Sequence, residues 1–203
     1  AELSASIPQS VMQAYVILMV ILVVGGTVLD MIHKKSAKFF FEKSKDAEAA
    51  RERELGGGEK MGIAIQTIAE DVLTSAEFCN PKRRISHLFT MYGFILFLVT
   101  TIALVFAYSG MKAPAIVAQL WHVGAAMVCF GGFWFWFFIR VDVAAEGNPW
   151  YRVVRADMFI LSLLGTTTFG LLWSLTQAGG GALNTLFLGL LLIASTVLFG
   201  GVM

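Results

Sequence analysis

Four stretches of this chain contain no Asp, Glu, Lys or Arg: residues 3–29, 85–111, 113–139 and 158–203. A membrane span needs about 20 apolar residues at about 1.5 Å of rise each. The first three stretches therefore make one helix apiece. The fourth, with Gly179-Gly180-Gly181 near its middle, makes two helices joined at a hinge. Only 14% of the chain is charged and its mean hydropathy is +0.74, whereas soluble domains carry roughly 25% charged residues. These features predict an all-α integral membrane protein, a bundle of five transmembrane helices with a cytoplasmic helical segment between helices one and two. Residues 1–33 form the first span, 34–84 the charged and amphipathic cytoplasmic segment, and 85–203 the four-helix region with an inner loop at 140–156. Too little chain lies outside the membrane for a self-contained catalytic domain.

Charge sets the expected orientation. Of 15 Lys and Arg residues, 11 fall in segment 30–84, three (Arg140, Arg152, Arg155) in segment 140–157, and Lys112 stands alone between spans. Under the positive-inside rule both basic segments face the cytoplasm. In an inner membrane this places the N-terminus on the periplasmic side and, after five spans, the C-terminus in the cytoplasm. Ala1-Glu2-Leu3 lacks a basic region, so the first apolar run reads as a span rather than a cleaved signal peptide. Cys79 and Cys129 fall in different environments, and there is no CxxC, Walker loop or dinucleotide-type glycine motif. No disulfide, metal site or nucleic-acid partner is expected.

Helix one covers about residues 11–31. Residues 36–55 read as a helix that starts at Phe39-Phe40-Phe41 in the headgroup region and breaks at Gly56-Gly57-Gly58. From Glu59 to Phe78, the residues Met61, Ile65, Ile68, Val72 and Ala76 recur at intervals of three and four, an apolar stripe on a second helix. A soluble protein is the favoured cover for Met61, Ile65, Ile68 and Val72, because the neighbouring Glu70, Asp71 and Glu77 suit anionic lipid poorly. Pro81 is expected to stop this helix. Helix two then runs to about Tyr108 and helix three from about Ala115 to Ile139, ending in the aromatic run 133–138, an interfacial belt. Helix four starts near Asp157, read as its N-cap, and helix five near Leu183. Arg140 and Arg155 are expected to pair with Asp142 and Asp157, tying helices three and four together.

Haem b in a helix bundle takes an imidazole from each of two helices at matched depth. His87 at the inner edge of helix two and His122, about 10 Å below the outer surface, stand roughly 20 Å apart along the normal of a core about 30 Å thick. His33 and His87 are therefore the ligands if haem b is bound. The ordinary reading of His33 is an interfacial residue, and of His122 a hydrogen-bonded contact between helices. His87 lies beside Arg83, Arg84 and Tyr92, at the depth where a quinone headgroup would meet cytoplasmic electrons and protons. These four, with Trp150 and Tyr151, form the expected quinone site. Asp30, Asp142 and Glu146 are the candidates for proton delivery, each with an ordinary reading as a solvated carboxylate.

Two stretches carry a resemblance: Cys79-Asn80-Pro81-Lys82-Arg83-Arg84-Ile85-Ser86-His87-Leu88 with Tyr92-Gly93-Phe94, and Trp134-Phe135-Trp136-Phe137-Phe138-Ile139-Arg140-Val141-Asp142-Val143-Ala144-Ala145-Glu146-Gly147-Asn148 with Arg155-Ala156-Asp157. Together they resemble the membrane-anchor subunit of dissimilatory adenylylsulfate reductase in sulfur-oxidising bacteria. The first is also similar, more loosely, to the cytochrome b-like membrane part of quinone-interacting oxidoreductases and to the nitrate-reductase gamma subunit. The likeness extends over most of residues 78–175. It implies that a cytoplasmic flavin and iron–sulfur reductase, running in the sulfite-oxidising direction, docks on the inner face and passes electrons to menaquinone or ubiquinone. The chain is then a non-catalytic or quinone-reducing subunit. It departs from the nitrate-reductase and succinate-dehydrogenase types in lacking histidine pairs at matched depth within two spans. The residues alone leave two other classes open, a haem b cytochrome of another respiratory oxidoreductase and a non-redox membrane scaffold.

Overall fold

The computed structural model of the protein describes residues 7–33, 42–43, 56–140 and 149–203. Helix α1 is Gln9–His33, and the shorter α2 is Gly57–Thr67, prolonged by a π-helical turn Ile68–Leu73. Next come α3 (Pro81–Ile102, prolonged by Ala103–Ala107) and α4 (Ala115–Trp134, prolonged by Phe135–Ile139). A 3-10 turn, Arg155–Asp157, leads into α5 (Met158–Thr176), and α6 (Gly181–Val197, prolonged by Leu198–Val202) follows. Among the described residues, α1, α3, α4, α5 and α6 are long and apolar enough to cross a membrane. The all-α, five-span architecture with a shorter helix between the first two spans is thus the one the charge-free stretches predict. The helix expected over 36–55 lies outside the described residues.

Helices α3 to α6 pack as antiparallel neighbours, and α6 returns to α3 where Phe94 stacks on Phe199 at 6.3 Å. Lipid is as apolar as leucine, so spans associate by close packing and polar contacts rather than by escape from water. The α3–α4 seam accordingly uses glycine. A Cβ at Gly93 would lie 2.7 Å from the Met127 Cβ, and one at Gly124 would lie 2.7 Å from the Phe97 backbone nitrogen. Ser86 donates to the Gly131 carbonyl across the same seam at 2.8 Å. Val128, Leu163 and Leu198 make the centre of the bundle. The α5–α6 turn needs glycine for its backbone, with φ of +58° at Gly180 and +81° at Gly181. Asn184 closes that hairpin by donating to the Trp173 carbonyl at 2.9 Å.

Helix α1 stands outside this four-helix unit, parallel to α6. The Tyr15 hydroxyl bonds Ser195 at 2.7 Å and Thr196 at 3.0 Å, while Gln13 donates to Ser109 at 3.0 Å. Gln9, one turn earlier on the same face, also donates to Ser109. Between α1 and the grooved side of α3 and α6 lies a cavity of about 300 Å³. The topology gathers His33, Pro81, Ile139 and Arg155 at one end of the bundle, and Gln9, Gly110 and Gly180 at the other. Lys82, Arg83, Arg84, Arg140, Arg152 and Arg155 share the former, called the basic end below.

Three local expectations change. Pro81 occupies the first turn of α3 and starts that span, with the Asn80 side chain capping it by accepting from the Lys82 N–H at 2.9 Å. The basic cluster is therefore the first turn of the span itself. Helix α2 ends at Leu73 and not at Phe78, because Ser75 adopts φ of +51° and turns the chain away. Ala76 is therefore off the stripe. Asp157 does not cap α5 with its side chain; its carboxylate turns back to accept from Arg140 and from the Val154 N–H.

Candidate functional site at the basic end

The last carbonyls of any helix lack intrahelical partners, and α3 supplies partners to those of α2. The Tyr92 hydroxyl donates to the Leu73 carbonyl at 2.6 Å and Arg84 Nε donates to the Thr74 carbonyl at 2.8 Å. Arg84 and Tyr92 stand about two turns apart on one face of α3. Between them, His87 Nδ1 shares a 3.0 Å hydrogen bond with the buried Ser75 hydroxyl, and the Phe78 ring lies 4.9 Å from the imidazole. Three of the six residues assigned to a quinone are thus brought together, in a clasp that fastens the end of α2 to the second span. Tyr92→Phe is expected to weaken that fastening by about 1 kcal/mol, read as roughly fivefold faster amide exchange over residues 57–73.

The clasp leaves defined groups over. Tyr92 has committed its one proton to Leu73. His87 Nε2 and the two terminal nitrogens of Arg84 make no hydrogen bond among the described residues. Arg83 is half-buried in the same first turn. If Ser75 donates to Nδ1, then Nε2 carries the ring proton and is itself a donor. The reverse arrangement makes Nε2 an acceptor.

Trp150 and Tyr151 lie at the same end but elsewhere. Both are exposed, Trp150 packs on Phe137 with centroids 6.1 Å apart, and among the described residues no hydrogen bond or ring contact joins either to His87, Arg84 or Tyr92. Asp142 and Glu146 lie outside the described residues, and Asp30 is exposed near the end of α1. Along α2, Met61, Ile65 and Ile68 are 65%, 61% and 54% exposed. The apolar row is uncovered by the described part of the chain. Val72 lies on its last turn.

Beside the clasp, Arg140 and Asp157 bind the ends of α4 and α5. Arg140 Nε donates to the carboxylate at 2.9 Å, a second guanidinium nitrogen reaches the same carboxylate and the Arg152 carbonyl, and the guanidinium lies 4.2 Å over the Trp136 ring. The hydrogen bond that Arg140 donates to Asp157 holds the Arg140 pKa above its ordinary value. Of the two arginines expected to pair here, Arg140 does so and Arg155 is exposed.

His122 sits far from this end. Its Nδ1–H donates to the Ala118 carbonyl at 2.6 Å and its Nε2 accepts from Ser174 at 2.7 Å, which links α4 to α5. Its neighbour Trp121 donates to Thr101, and the residues of α3 at that level are about 15–20 Å along the helix from His87. His87 and His122 therefore do not fit a shared haem iron. His33 closes α1 at the basic end. Sequence reasoning missed Tyr15, Gln9 and Gln13, whose signal was polar side chains within a charge-free span, two of them one turn apart. No protein family, no curated protein and no solved structure matches this chain.

Proposed function

We propose that this multi-pass protein is the membrane anchor of a two-part oxidoreductase, whose basic end faces the cytoplasm, receives a flavin and iron–sulfur protein on α2, and delivers its electrons to a quinone nearby. The observation that carries this reading is the apolar row Met61, Ile65 and Ile68, left exposed on a helix that is nonetheless fixed to the second span by the Arg84, His87 and Tyr92 clasp. A surface helix kept in one place with its apolar face open is suited to a partner. The resemblance of most of residues 78–175 to the adenylylsulfate reductase anchor and the Lys and Arg distribution support the same reading.

A bound quinone supplies carbonyls that take up two electrons and two protons. His87 Nε2 and the Arg84 terminal nitrogens are the groups in position to donate to such a carbonyl, and the His87 imidazole would be the group that hands it a proton. The apolar surface of α3 and α4 would keep the rest of such a ring from water. The docking half is tested by Ile65→Asp with Ile68→Asp, expected to release the soluble partner from washed membranes. Retention of the partner by that variant rejects α2 as the platform. The quinone half is tested by His87→Ala, expected to slow quinone-coupled turnover about tenfold, the equivalent of one lost hydrogen bond of about 1.4 kcal/mol. Ser75→Ala removes the clasp bond but keeps the imidazole. An equal loss in Ser75→Ala shows that His87 acts only through the mooring of α2.

A further inference from the structure

The cavity between α1 and the bundle belongs to neither the clasp nor the platform. It is bounded by Ile7, by α1 from Met12 to Val24, by α3 from Phe94 to Val105, and by α6 from Leu188 onward with the adjoining Met203. The α1 wall is about 18 Å long, so about 300 Å³ is drawn out into a slot rather than gathered into a pocket. At about 30 Å³ for each water-sized group it takes on the order of ten such groups in file. Its walls are apolar, and the polar atoms that reach it are already bonded to protein. Tyr15 is joined to Ser195, Trp121 donates to Thr101 at 2.9 Å and Thr166 donates to the Ser162 carbonyl at 2.8 Å. An occupant meets no free donor or acceptor, and water, which needs two to four polar partners, does not suit the space.

Depth narrows the choice. One end of the slot is lined by Ile7, Met12 and Val105 beside the Gln13–Ser109 contact, at the end opposite the basic one, and the other reaches Phe94, Phe199 and Met203 near the middle of α3. That interval is one leaflet of a core about 30 Å thick. Val20 and Val24 on its α1 wall remain 52% and 57% exposed, so the slot opens sideways to lipid. We infer that it holds one acyl chain of a phospholipid from the leaflet at the end opposite the basic one, a resident lipid wedged between α1 and the four-helix unit. The Arg84 and His87 donors lie beyond the mid-plane from it, so the slot is separate from the proposed quinone site.

Native mass spectrometry of the full chain, washed in detergent until bulk lipid is gone, is expected to show one retained phospholipid per chain. Val16→Phe with Leu98→Phe, which fills the slot, should lower the lipid-bound fraction at least tenfold. Ile21→Phe, on the lipid-facing side at 60% exposure, should keep it. An arm that needs no variant uses liposomes containing a phosphatidylcholine with a diazirine midway along one acyl chain. Light should attach it to residues 94–105 and 188–203 of the unsubstituted protein. Labelling confined to outward residues such as Ile17 and Ile21, retention of a quinone in place of the phospholipid, or equal loss in Ile21→Phe overturns the assignment.

Discussion

Gly124→Ala is expected to destabilise the protein by about 2–3 kcal/mol, the upper range for overpacking a tight contact. The added methyl would stand 2.7 Å from the Phe97 backbone nitrogen and 2.9 Å from the Gly93 carbonyl. Both neighbours are backbone, which cannot swing aside as a side chain does, so α3 and α4 must part. Parting them stretches the Ser86 bond to Gly131 and the Trp121 bond to Thr101, and separates the Phe97 and Trp121 rings, now 5.1 Å apart. Gly189→Ala is the matched control, because a Cβ there meets nothing within 4 Å, and it should cost nothing. Unfolding by SDS titration in mixed micelles measures both. A Gly124→Ala variant as stable as Gly189→Ala would mean that the seam is looser than described.

Asp157→Ala is expected to cost about 3 kcal/mol, at the low end for breaking a buried ion pair. The two side chains are only 13% and 12% exposed, so Arg140 would be left at the end of α4 with its charge poorly hydrated and uncompensated. The Val154 N–H would lose its acceptor as well. Most of that penalty belongs to the stranded partner rather than to the pair. Arg140→Met combined with Asp157→Leu should therefore recover much of the loss. The same titration separates the cases: a double variant as unstable as Asp157→Ala would show that the attraction itself, and not the stranding of a charge, holds these helix ends.

The spans were legible because a charge inside a bilayer is costly, and its absence over Leu3–Leu29 or Ile85–Met111 is hard to produce by chance. The hinge was legible because only glycine adopts the backbone at Gly180 and Gly181 without strain. Boundaries were less so. Pro81 breaks a helix on its N-terminal side and is equally at home in a first turn, and only Asn80 before it favoured the second role. Asp157 looks like a cap until Arg140, distant in sequence, competes for its carboxylate. The donors His87, Arg84 and Tyr92 were visible as residue types, but two of their acceptors, the carbonyls of Leu73 and Thr74, carry no mark in a sequence. The slot was not legible at all, since it arises from how far α1 stands off, and the same apolar side chains would serve a closed contact.

Two of the bonds that moor α2 end on peptide oxygens, and every amino acid carries one. Substitutions along Gly57–Leu73 therefore redraw the exposed face of α2 while the grip of Arg84 and Tyr92 stays as it was. Only Ser75 is held through its side chain. The exposed face of α2 and its tether are thus heritable separately: exchanging one short helix for another, with a serine turn at its end, would keep the same membrane base and, on the proposed reading, give it a new client.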